Sequence, residues 1–188
     1  MEGPTPGRTS IAEFEQLLAA SDQKLELLDG KVVAFAPASI AHGMLCSRLH
    51  NAVSTATKPP CHTFTSDVAI RVADRSAHLF PDVSRTCEPL DVNAMHITGP
   101  DLVIEVISAE SKARDQGAKL DIYRSIPSVM EYLLVDSRRV WVCVSRRTAD
   151  GFWTETTYGM DETAELRTAG VSIDVAELYA GTGRVLAT

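Results

Sequence analysis

Three absences narrow this chain before any motif is read. No apolar run approaches the ~20 residues needed to cross a bilayer, so a helical membrane span is excluded on length. No CxxC pair occurs. Cys46, Cys61, Cys87 and Cys143 are scattered, the ligand spacing of a structural zinc site is missing, and the expectation is a cytosolic (cytoplasmic) protein with reduced thiols. There is no excess of positive charge either: 18 Lys and Arg against 25 Asp and Glu give a net charge of −7, which argues against a protein that wraps nucleic acid by bulk charge. The chain also shows no internal repeat, no low-complexity segment and no apolar leader in MEGPTPGRTS, so no signal peptide is expected.

The length, 188 residues, suffices for one domain with a sizeable core. Residues 1–9, rich in Pro, Gly and Thr, read as a flexible tail, and residues 10–188 as a single domain. Ser10 with Glu13 forms a capping-box pattern for a helix over 11–20. Leu25–Leu28, Asp29-Gly30 and Val32–Phe35 predict a hairpin, Asp-Gly being a strong turn signal. Ile40 to Ala56 predicts an amphipathic helix with Met44, Leu45, Leu49, Ala52 and Val53 on its apolar stripe. Strands are expected over 67–72, 80–86, 102–107, 131–136, 140–144 and 152–158. Residues 90–99 read as a loop, about 114–125 as a helix, and 171–179 as an extended stretch followed by a helix turn. One α/β domain with a mixed sheet is the simplest account.

The chemistry centres on Glu105, a carboxylate in the middle of the apolar run Leu102–Ile107. A charge there is costly unless paired, protonated or bound to a cation. Two Pro-Asp pairs offer a second acid, and geometry separates them. Asp101 lies four residues before Glu105 on the same strand, about 13 Å away at ~3.3 Å per residue. Asp82 belongs to another strand, and neighbouring strands lie ~4.8 Å apart. Asp82 with Glu105 is therefore the candidate metal pair, and two carboxylates without His or Cys suit a hard cation, Mg²⁺ or Mn²⁺. Asp115, Lys119 and Tyr123 follow at four-residue spacing, on one helix face. Lys119 completes a catalytic set if its charge reaches a metal-bound phosphate. Each residue also has an ordinary use: Glu105 as a buried acid bonded to Arg or Tyr, Asp82 as a strand-end residue, Lys119 as a solvated partner of Asp115. Residues 101–147 carry eight Lys and Arg against seven acids; their arginines fit a phosphate-facing patch or a plain solvated surface.

Phe80-Pro81-Asp82-Val83, then Pro100 through Ser108, then Asp115, Lys119 and Tyr123, then Ile126 through Asp136 together resemble the Uma-type family, whose members are called putative restriction endonucleases. That bacterial family belongs to the PD-(D/E)XK nuclease superfamily. Leu25 through Gly30 and His42 also match its N-terminal pattern. The resemblance implies a restriction-endonuclease-like mixed β-sheet core flanked by helices with β-hairpin extensions, and metal-dependent hydrolysis of DNA. It implies Asp82 and Glu105 as metal ligands. The superfamily lysine normally stands two residues after the glutamate, where this chain has Ile107, and Lys119 is the natural replacement. Glu26 is a further acid near the metal, or a charged residue on a hairpin face. Two sites acting on duplex DNA imply a homodimer; Trp141 and Trp153 on the late ribbon are a candidate contact, core packing being the more common use of tryptophans. The competing reading is a catalytically degenerate nuclease fold that binds nucleic acid or a protein.

Overall fold

A computed structural model describes residues 7–34, 38–108 and 117–184. Ser10 caps α1 (Ile11–Ala19), with the reciprocal Ser10–Glu13 bonds of a capping box. β1 (Leu25–Leu28) and β2 (Lys31–Ala34) form the expected hairpin, and Asp29 and Gly30 both adopt positive φ in its turn. α2 spans Ile40–Ala56 as the spacing predicts. The later elements are β3 (His62–Thr65), β4 (Ala69–Val72), β5 (Ala77–Leu79), β6 (Val83–Thr86), β7 (His96–Ile97) and β8 (Leu102–Ile107). They are followed by α3 (Ala118–Ser125), β9 (Glu131–Asp136), β10 (Val142–Arg147), β11 (Trp153–Tyr158), β12 (Thr163–Leu166), β13 (Val171–Asp174) and α4 (Val175–Tyr179).

The strands build a six-stranded mixed sheet, β11-β10-β9-β8-β6-β3, in which β8 and β9 run parallel and the other neighbours antiparallel. A second sheet has the order β2-β1-β5-β4-β7, and β12-β13 is a separate pair. Alternation along β8 divides the core. Leu102, Ile104 and Val106 face Leu45, Leu49 and Val53 of α2 together with β12, β13 and α4. Val103 and Ile107 face α3 and the five-stranded sheet, among Leu28, Ile70, Leu79, Leu120 and Tyr123. A third cluster joins Ile11 and Phe14 of α1 to Leu27.

Several expectations need correction. Phe80 to Thr86 is not one strand. The chain leaves the five-stranded sheet after Leu79 and joins the six-stranded sheet at Val83, so Phe80-Pro81-Asp82 is the crossing link. Pro81 lacks the N–H that a ladder requires, which suits it to this break. Val140 and Trp141 belong to the turn before β10, where the Tyr179 hydroxyl lies 2.8 Å from the Asp136 carbonyl and 3.0 Å from that of Trp141, with one proton to share between them. β7 lies in the segment read as a loop. β5 and β12 fall outside the expected strands because three- and four-residue segments carry too little pattern. The thiols are not all reduced. Pairing of β3 with β6 sets His62 opposite Thr86, so Cys61 and Cys87 meet at the adjoining step and form a disulfide. Cys46 and Cys143 are free.

A candidate active site between the two sheets

Glu105 alternates with Val106, so its side chain lies on the face of β8 that meets α3, and it is 3 % exposed. Glu26 shares the face of β1 that carries Leu28, and it is fully buried, not a charge on an exposed hairpin face. Between them stands Lys119 of α3, itself 2 % exposed. Its ammonium lies 2.8 Å from Glu26 Oε1 and 2.9 Å from Glu105 Oε1. Tyr123, one helical turn on, donates its hydroxyl to Glu105 Oε1 at 2.9 Å. Burial, and then the charges of Glu105 and Glu26, push the Tyr123 phenol well above its ordinary value, so it remains a donor at neutral pH. The Phe80 N–H donates to Glu26 Oε1 at 2.8 Å, tying the crossing link to β1.

Asp82 ends that link. The pairs Val83↔Ile104 and Ser84↔Val103 set the register, whose next step would put Asp82 opposite Glu105. At that step the chain has left the ladder, and the Asp82 carboxylate itself accepts from the Val106 N–H at 2.7 Å. His42 and Cys46 of α2 complete the surroundings. His42 Nε2 lies 3.6 Å from Asp82 Oδ2, both side chains being 17 % exposed, and Cys46 Sγ lies 3.3 Å from His42 Nδ1. Burial first, and then Asp82 and Glu105, raise the Cys46 thiol far above its ordinary value.

Glu105, Lys119, Tyr123 and Glu26 therefore meet, although they come from two strands and a helix, and Asp82, on the crossing link, bonds the residue of β8 that follows Glu105. Asp115 lies outside the described residues. Asp101 stands apart, as strand geometry requires: it binds Arg85 Nη1 at 2.8 Å, and burial raises its carboxyl despite that guanidinium. Cys46 has no role in the sequence reading, and His42 enters it only as part of a pattern. The available signal is their four-residue spacing on one helix, which is weak by itself.

The chain matches the family described as "Putative restriction endonuclease", Uma2, over residues 11–176. It belongs to the Uma2 family. It is 31% identical over 176 residues to the uncharacterized protein slr1290 of Synechocystis sp. (strain ATCC 27184 / PCC 6803 / Kazusa), covering 93% of each chain. A second Synechocystis relative, the uncharacterized protein sll1609, is 29% identical over 161 residues, covering 84% of this chain and 90% of that one. A crystal structure described as a putative nuclease belonging to DUF820, from Anabaena variabilis ATCC 29413, superposes with a TM-score of 0.76 at 17% identity. The match spans 92% of this Uma2 chain and 98% of that protein, so the two share the mixed α/β fold.

Proposed function

We propose that this Uma2 chain is a divalent-cation-dependent endonuclease that hydrolyses DNA phosphodiester bonds. The observation that carries this reading is the meeting of Glu105, Glu26 and Lys119 beside Asp82, at the point where the chain crosses between sheets. Glu105, Glu26 and Asp82 bring carboxylate oxygens to this point of the fold, and oxygen donors suit Mg²⁺ or Mn²⁺. Asp82 and Glu105 would hold that ion, which would supply charge to polarise the phosphate and acidify an attacking water.

The remaining work belongs to the protein. The Val106 N–H orients the Asp82 carboxylate, and the Tyr123 hydroxyl orients that of Glu105. Glu26 and Glu105 fix the direction of the Lys119 ammonium, which stands in for the strand lysine that Ile107 replaces. The 17 % exposure of Asp82 and His42 leaves a route to solvent at this end of the site. The partner is DNA, and the protein acts as a homodimer.

The test is a cleavage assay on duplex DNA, single-stranded DNA and RNA with Mg²⁺ and Mn²⁺, beside Asp82→Ala and Glu105→Ala. Cleavage of DNA that needs the metal and both acids supports the reading. Activity that survives either alanine overturns the assignment, and inactivity on every substrate favours a nuclease fold used only for binding.

A further inference from the structure

We propose that His42, Cys46 and Asp82 form a second metal site, for a thiophilic divalent ion of the zinc class. The ligand set stands independently of the nuclease reading. Only its consequence, competition with the hard cation for Asp82, rests on that reading.

His42 and Cys46 lie four residues apart on α2 and project from one face of it. One ligand atom from each of His42, Cys46 and Asp82 can be chosen so that all three lie within 4.8 Å of one another. Tetrahedral zinc, with bonds of about 2.0–2.3 Å, sets its ligands roughly 3.3–3.8 Å apart. Closing the set thus asks for shifts of about 1 Å at side-chain ends. The backbone that carries them is held: Leu45, Leu49 and Val53 bury α2 against β8, and the Val106 N–H holds Asp82. A thiolate, an imidazole and one carboxylate match zinc and cobalt, whereas magnesium prefers oxygen alone. Three protein ligands leave a fourth position for water, and the partial exposure of His42 and Asp82 gives access to it.

The same three residues have the order of a thiol–imidazole–carboxylate catalytic triad, and geometry decides between the two uses. His42 Nε2 stands 3.6 Å from Asp82 Oδ2, beyond hydrogen-bond length, whereas one ligand atom from each of the three residues lies within 4.8 Å of the others. On metal binding the Cys46 S–H proton leaves to solvent, the sulfur bonds to the metal, and no electrons are transferred.

Co²⁺ titration of the intact protein tests the site, because cobalt bound to sulfur gives a thiolate-to-metal charge-transfer band in the near ultraviolet. We expect saturation at one ion per chain, displacement by equimolar Zn²⁺ but not by millimolar Mg²⁺, and an unchanged band in Cys143→Ser. Cys46→Ser should abolish the band, and His42→Gln should weaken Co²⁺ binding by more than about tenfold, with circular dichroism showing that both variants fold. A wild-type protein without the band, or a band that survives Cys46→Ser, overturns the proposal. Mg²⁺-dependent cleavage without the cobalt band removes this site and leaves the nuclease; the band without cleavage does the reverse.

Discussion

Lys119 is the residue whose surroundings say most about its removal. An exposed lysine can be truncated at little cost, but this one bridges two buried carboxylates. Lys119→Met leaves Glu26 and Glu105 without their shared cation, and breaking a buried pair this way costs about 3–5 kcal/mol. We expect a lower urea midpoint, partly restored by adding Glu26→Gln, and cleavage reduced by about 10²–10³ under conditions where the variant is folded. Wild-type stability in Lys119→Met would mean that solvent reaches the cluster. His78 gives a pH prediction. Its ring is packed between Phe14 and Phe80, with centroids 5.3 Å from each, and burial lowers its pKa to about 4. The unfolded chain therefore binds the proton first as pH falls, and this contribution to stability is present above pH ~6.5 and lost toward pH ~4. Between pH 7 and 4, the stability of wild type should fall by about 2–3 kcal/mol more than that of His78→Phe. Parallel pH profiles from urea unfolding would show that the folded and unfolded chains protonate His78 alike.

Among the elements, α2 does two jobs. Its apolar stripe covers the face of β8 opposite Glu105, and its first turns carry His42 and Cys46 to Asp82. Leu49 is fully buried at the centre of that stripe. Leu49→Ala should cost about 2–5 kcal/mol, read from the urea midpoint. Because Leu49 lies on the far side of β8 from the Lys119 cluster, the folded variant should keep its cleavage rate at low temperature. A large rate loss in a fully folded Leu49→Ala would show that α2 packing sets the position of Asp82.

At the scale of the whole molecule, the expected dimer meets a surface already partly dressed. Trp141 and Trp153 pack at the edge of the core, with Arg139 over the first and Arg124 and Arg147 over the second. Two cuts in duplex DNA still call for two sites related by a two-fold axis. Sedimentation at tens of micromolar is expected to show a dimer, and Phe152→Glu, at an exposed position beside Trp153, to weaken it. A monomer at every concentration, with single-strand nicks as the product, would remove the dimer from the proposed mechanism.

The amino-acid sequence by itself determined the first helix to within one residue, expected over 11–20 and found over 11–19, the helix over 40–56, the β1–β2 hairpin, and strands β8 and β9 to the residue. Capping residues, turn residues and apolar periodicity are local signals, and here each agrees with the packed structure. It also singled out Asp82, Glu105 and Lys119, because a carboxylate inside an apolar strand demands a partner. The tertiary structure decided the rest. The switch of sheets at Phe80-Pro81-Asp82, the burial of Glu26 against Lys119, the Cys61–Cys87 disulfide and the His42–Cys46–Asp82 cluster all arise from pairings between segments far apart in the chain. No residue pattern within one segment encodes which strand will lie beside it, and these features exist only once the strands have paired.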